Sequence, residues 1–299
     1  MASPRALGGD VHPAMGPPVR HLVSAHWLLA AIPALVLVVF FALPNALLLT
    51  VSFLKSEAQQ LTGEVTLENY RFVLSRRLYL DAVIRTFAIG IAVGALDVLL
   101  AYPLAYFLVR TTSRWKGWLI ALSLAPLLAS VVVRTYGWYV ILNRNGVAND
   151  ALLLLGLTTE RIALMPSSAA IAIGLAHALL PYAVLTIMGG LDAIPPNLER
   201  AAMSLGASRL RTFLSVTLPL SMPGVAGGFI LCFSIAISAY ATPAILGGPA
   251  TQVLATAIYG FMTQLLDWSI GAALAVVLVA SSLALLYLAS RLGSRQVSL

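Results

Sequence analysis

The sequence predicts an all-α membrane bundle of six transmembrane helices with both termini on the cytoplasmic side. Three observations point there. Of 299 residues, 60% are hydrophobic and only 10% charged, where a soluble domain carries about 25% charged residues. Six apolar runs are long enough to cross a bilayer, which takes about 20 residues. The basic residues collect on alternate sides of those runs. A formal charge of +7 in a soluble chain would suggest nucleic acid. Here its place is the cytoplasmic loops, so no nucleic-acid partner is expected.

The elements follow in order. Residues 1–26 read as a cytoplasmic tail; its His12, His21 and His26 lack metal-site spacing. The first span, 27–53, is far longer than the roughly 7–15 apolar residues of a cleaved signal, and reads as retained. The others are 82–109, 117–142, 167–191, 220–246 and 269–290. Prolines 33, 44, 103, 126, 181, 223 and 243 lie inside these runs, where a membrane helix tolerates them as kinks. The transmembrane domain therefore spans 27–292, and 293–299 forms a second cytoplasmic tail. The short loop 110–116 holds Arg110, Arg114 and Lys116 with no acid, and short basic loops orient a bundle most strongly.

Two outer segments need separate treatment. No charged residue occurs from Thr212 to Leu266, more than one span needs. A seventh helix at 250–266 would push the basic C-terminal tail outside. Leu254, Ile258, Phe261 and Leu265 recur at helical spacing, which instead predicts an amphipathic segment on the outer surface after "TPAILGGP". The structure of 244–268 stays open at this level. The long outer loop 54–81 contains "TLENYRFVL", a short helix capped at Thr66. It reads equally as a docking surface for an external partner and as an interfacial seal.

Residues 199–219, "ERAAMSLGASRLRTFLSVTLP", are unlike their surroundings. Pro195 and Pro196 end the preceding span, and Asn197 is a suitable N-cap. Glu199 falls in the first turn, where the helix dipole favours an acid. Gly206 stops the helix in the manner of a C′ glycine. Some two turns are too few to be stable alone in water, so a partner must hold them. Glu199, Ala202 and Gly206 share one face with Ala201 beside them. Ser208 caps a second short helix bearing Arg209 and Arg211. The shape is a bent, small-faced, charged knob suited to a groove on another protein.

This stretch resembles the EAA loop of inner-membrane permease subunits of ATP-binding-cassette importers. That pattern runs Glu-Ala-Ala, three residues, Gly, nine residues, an aliphatic residue, one residue, Leu-Pro. Here Ala201 and Ala202 are followed by Gly206, Val216, Leu218 and Pro219 at that spacing. Arg200 stands where the pattern has Glu, with Glu199 one place earlier. "PLLASVVVRTYGWYVILNRNGVAN" (126–149), "YATPAILGGP" (240–249) and "DWSIGAALA" (267–275) resemble the spermidine/putrescine-type branch, which also contains importers of iron(III), phosphonates and opines.

The resemblance implies a type I importer permease fold and an alternating-access pathway. It implies a bacterial inner-membrane location and a second permease subunit, more in keeping with a paralogue than a copy. It also implies two ATPase subunits and an external substrate-binding protein. The coupling loop becomes 192–216, with Glu199, Arg200, Ala201, Ala202, Leu205, Gly206, Ala207, Ser208 and Arg209 facing the ATPase. ATP and magnesium belong to that partner, and no cofactor or metal is expected on this chain. In agreement, neither lysine, Lys55 or Lys116, completes a G-x-x-x-x-G-K-[ST] phosphate loop, and no catalytic constellation is present.

For the pathway the sequence offers Asp97 and Arg134, mid-span charges that cost about 2.5–3.5 kcal/mol each at the bilayer centre. They either line the route or pair structurally. Tyr136, Trp138, Tyr240 and Thr242 complete the set, the aromatic faces being suited to a cationic solute or to an interfacial belt. His177 reads as a hydrogen-bonded packing residue. An ion-gradient-driven secondary transporter is the alternative, though it would favour inverted repeats and carboxylate relays, and Asp97 is the one clear mid-span acid.

Overall fold

A computed structural model describes residues 31–57 and 59–294. The tails assigned to 1–26 and 293–299 lie almost wholly outside the described residues. The chain divides into two units, residues 1–50 and 51–299. Of the first unit, residues 31–50 are described and lie in helix α1 (Ala31–Ser52). A π-helical turn at Val38–Ala42 interrupts it. Its side chains are apolar on nearly every side, a composition suited to a membrane span.

The second unit opens with a hairpin that sequence reasoning missed. β1 (Leu54–Glu57) pairs antiparallel with β2 (Gln60–Val65), aligning Leu54 with Val65 and Glu57 with Gln60. Helix α2 (Glu68–Ser75) follows, and its N-cap is Leu67 rather than the expected Thr66; Thr66 Oγ1 accepts the Glu68 amide at 3.1 Å from one residue further back. Asn69 anchors this helix to the chain entering the hairpin, through the carbonyls of Ser52 and of Leu54 in β1, at 2.9 and 2.8 Å.

Three long helices form the core: α3 (Arg77–Arg110), α7 (Ser168–Asp192) and α9 (Arg209–Ser238). Helix α9 runs antiparallel to both others. Tyr102 meets Ser221 at 2.9 Å on the α3 side, while Cys232 Sγ reaches the Leu179 carbonyl at 3.5 Å on the α7 side. The helices close without bulk between them. A Cβ added to Gly190 would lie 2.8 Å from the Gly224 Cα, so α7 and α9 touch backbone to backbone there. Small residues allow such approach in membranes, where dispersion contacts replace the hydrophobic effect as the driving force between helices.

The third span departs from expectation. The run 117–142 is not one straight helix: α4 (Lys116–Leu128) and the following pair α5 (Val131–Leu142) and α6 (Val147–Leu154) are separated by a 94° bend. Ala129 and Ser130 are extended. An extended Ser130 cannot return the hydrogen bond that the Pro126 carbonyl would accept in a continuing helix. Arg134 Nη1 donates to that carbonyl instead. The guanidinium thus pins the corner, and its charge suits the negative end of α4.

The fifth span is also shorter than 220–246 at its outer end. Helix α9 stops at Ser238, Ala239 turns extended, and α10 (Ala241–Leu246) restarts separately. After a 3₁₀ turn at Pro249–Thr251 come α11 (Leu254–Tyr259), a π turn at Gly260–Gln264, and the last span, α12 (Trp268–Ser294). Five helices among the described residues are long and apolar enough to cross a bilayer, and the bent pair supplies a sixth crossing. The segment 250–266 is no seventh span. Leu254 and Phe261 of its expected apolar stripe are buried, and Ile258 partly so, whereas Leu265 is 55% exposed.

Candidate coupling and pathway sites

The knob is built from α8 (Pro196–Ser204) and the first turn of α9. The N-cap is Pro195, with Pro196 at the first helical position. This corrects the expectation for Asn197. A proline at that position loses nothing, because the first amides of a helix have no intrahelical acceptor. The other end matches expectation: Gly206 adopts φ +90°. Its amide bonds the Met203 carbonyl at 3.0 Å, and the Ala207 amide bonds Ala202 at 3.1 Å, a Schellman closure. Ser208 Oγ accepts the Arg211 amide at 3.3 Å and starts the next helix.

Glu199 does not face outward. Its Oε1 accepts from Arg110 Nη2 at 2.8 Å and from Thr217 Oγ1 at 2.9 Å. The ion pair is largely enclosed, with side-chain exposures of 20% and 15% for Arg110 and Glu199. One carboxylate therefore ties the knob to the last residue of α3 and to the π turn Phe213–Thr217 near the start of α9. Tyr102 and Tyr106 of α3 meet the Phe213 ring edge-on at 5.8 and 5.7 Å. Under the joint lies a cavity of about 310 Å³ lined by Tyr106, Glu199, Met203, Arg209, Thr212, Phe213 and Thr217.

The Arg110–Glu199 contact also fixes the sense of the helices. Helix α3 ends beside the knob, and α7 ends four residues before the knob begins, so the two run parallel. At their starts Arg85 Nη1 donates to the Gln252 carbonyl at 2.6 Å, and the Leu254 amide donates to Thr86 Oγ1 at 2.9 Å. Residues 250–266 thus lie at the end opposite the knob.

Of the expected coupling residues, Glu199 and Ala202 turn partly inward, while Arg200, Ala201, Leu205, Gly206, Ser208 and Arg209 are exposed and Ala207 half-buried. Leu205 is 90% exposed. A Cβ at Gly206 would meet nothing within 4 Å in this chain.

The expected pathway residues are not one cluster. Asp97 is fully buried in the three-helix core, where the Cys232 thiol is its polar neighbour. It makes no ion pair with Arg134, which is committed to the corner at Pro126. Thr242 Oγ1 lies 3.1 Å from Thr135 Oγ1, joining α10 to α5. Trp138 Nε1 donates to His177 Nδ1 at 3.2 Å, joining α5 to α7. Tyr136 is exposed beside Tyr139, with ring centroids 6.1 Å apart. Tyr240 packs on Tyr259 at 4.3 Å. The sequence offered Arg110 as an orienting charge and Arg85 as a group suited to an anion; their contacts with Glu199 and Gln252, and that of Thr217 with Glu199, escaped sequence reasoning. A cation in the last turn of a span was the one available signal, and nothing in the sequence names its partner.

Comparison with known proteins adds three findings. The family described as "Binding-protein-dependent transport system inner membrane component" matches residues 72–296. The spermidine/putrescine transport system permease protein PotB of Escherichia coli (strain K12) is 31% identical over 267 residues, 88% of this chain and 97% of its own. An inner membrane ABC transporter permease protein, YdcU, from the same organism is 33% identical over 200 residues, 63% of this chain and 64% of its own. Among solved structures, one chain of a bacterial alginate ABC transporter in complex with an alginate pentasaccharide-bound periplasmic protein superposes with TM-score 0.75 at 16% identity. That match covers 93% of this chain and 98% of the other. A chain of the MetNI methionine ABC transporter gives 0.57 at 16%, covering 75% and 96%.

Proposed function

This chain belongs to the binding-protein-dependent transport system inner membrane component family, and on that footing we propose that it forms, with a paralogous permease subunit, an alternating-access pathway for a polyamine. Two ATPase subunits grip the knob, and an external binding protein delivers the solute. ATP and magnesium act on the ATPase, and this chain contributes movement. The family membership leaves no place for the ion-gradient alternative.

The observation that carries the reading is the pair of contacts at Glu199, to Arg110 and to Thr217. A force applied to α8 passes through one carboxylate into the end of α3 and, through Thr217, into α9. Those two helices form the core with α7, so a displaced knob tilts the bundle rather than bending a loose loop. A nucleotide shifts such a bundle between two states only through a difference in contact energy. The ATPase supplies that difference at the knob by closing on one arrangement more tightly than on the other.

For the solute, the relatives' names support a polyamine, as do the exposed rings of Tyr136, Tyr139, Tyr240 and Tyr259, which suit a cation. Asp97 is enclosed within the subunit, so selection between polyamines falls to the binding protein and the second subunit. The test is co-purification followed by uptake. The tagged chain should retain an ATPase subunit, and vesicles containing the whole complex and binding protein should accumulate labelled spermidine over an anionic solute of similar size. Failure to retain any ATPase would refute the coupling half of the reading. Preference for the anion would refute the polyamine half.

A further inference from the structure

The knob's single acid is engaged internally, while its cations make no ion pair among the described residues. Residues 196–211 hold Glu199, Arg200, Arg209 and Arg211 as their charged residues. Glu199 is turned into the bundle against Arg110. Arg200, Arg209 and Arg211 are exposed and make no ion pair among the described residues. Between them stand Leu205, 90% exposed, and Leu210, 68% exposed. If the knob is the contact, these leucines supply its apolar part. Uncompensated arginines beside them set the charge of the partner, because a buried guanidinium left unpaired is strongly unfavourable.

From this we infer that the cleft receiving the knob is apolar at its floor and carries carboxylates at its rim, one of them facing Arg200. The inference rests on the reading of the knob as the ATPase contact, and it deepens that reading by stating the partner's chemistry. The ATPase that serves this chain carries Asp or Glu where it meets Arg200. Electrostatic matching of this kind governs which ATPase is accepted and how fast it docks more than it governs total affinity.

The chain's scarcity of lysine makes the inference testable. Its two lysines are Lys55 and Lys116. Arg200→Lys keeps the charge and adds an amine that a water-soluble carbodiimide joins to a contacting carboxylate. In the purified complex, Arg200→Lys should give a permease–ATPase crosslink absent from wild type and from Arg200→Gln. Peptide mapping should place it on an Asp or Glu. Arg200→Glu should lower ATPase retention about tenfold, and raising salt should lower wild-type retention. An ATPase that stays bound to the Arg200→Lys chain without forming that crosslink, and that tolerates Arg200→Glu, overturns the inference and leaves the ATPase reading standing. Loss of crosslinking together with retention that follows the anionic-lipid content of the vesicles assigns the cations to headgroups, and also overturns it. A wild-type chain that retains no ATPase at low salt overturns the reading beneath, and the inference with it.

Discussion

The two ends of the bundle are held by different chemistry. At the outer end, charged and polar side chains are engaged by backbone groups of the same chain: Arg85 by Gln252, Thr86 by Leu254, Asn69 by Ser52 and Leu54; the mid-span Arg134 is engaged in the same way by Pro126. At the knob end, one carboxylate is shared between two helices, and three arginines and two leucines are left without partners among the described residues. The first arrangement fixes irregular backbone in place, which a membrane requires wherever helices break. The second leaves a surface to be completed by another chain. The contrast teaches that position along the bundle does not fix an arginine's role: Arg85 and Arg110, at opposite ends, are both scaffold because each has a partner within the chain, whereas Arg200, Arg209 and Arg211 have none among the described residues.

Four sites bear on that contrast, taken from the largest effect. Gly190→Leu attacks the core that both ends depend on. With Gly224 at van der Waals limit it should cost about 3 kcal/mol and deplete folded protein from detergent extracts, read by size-exclusion fluorescence. Wild-type yield would show that α7 and α9 do not touch there. Arg110→Gln leaves Glu199 enclosed without its cation, a loss of about 2 kcal/mol after allowance for partial exposure. Melting should fall, and the exchange of Arg110→Glu with Glu199→Arg should recover part of it. No recovery in the exchange would mean that Thr217 alone holds the carboxylate.

Arg85→Gln removes a charged hydrogen bond worth about 1.5 kcal/mol. It should loosen 250–266 to proteases added from outside without changing ATPase retention. A fall in retention would erase the distinction between the ends. The smallest stability effect belongs to Gly206→Ala, about 1 kcal/mol from the positive φ alone. Gly206→Trp adds bulk that meets nothing in this chain. If Trp weakens ATPase retention well beyond Ala, the partner seats at this turn; equal effects would place the partner elsewhere.

Much of the architecture was legible from composition and spacing. The crossings, the knob's turn at Gly206, the cap at Ser208 and the outer placement of 250–266 follow from local rules that need no partner. The misses share a cause. Proline at 126 announces a perturbed helix but not a 94° corner, and Arg134 reads as an intramembrane charge until its acceptor, the Pro126 carbonyl, is seen. Asn197 has the chemistry of a cap, yet the proline before it already occupies the first turn. The Arg110–Glu199 pair joins residues 89 apart, and no spacing rule reaches that far. Asp97 was noticed as an anomalous charge, but only the packing of α3, α7 and α9 shows that it is enclosed.

The most direct test of the lever is spermidine accumulation in vesicles carrying both permease subunits and the liganded binding protein, measured with and without the ATPase subunits. The lever reading requires accumulation that depends on ATP hydrolysis and vanishes when the ATPase is left out. Accumulation driven by an ion gradient across vesicles that hold the permease chains alone would contradict it.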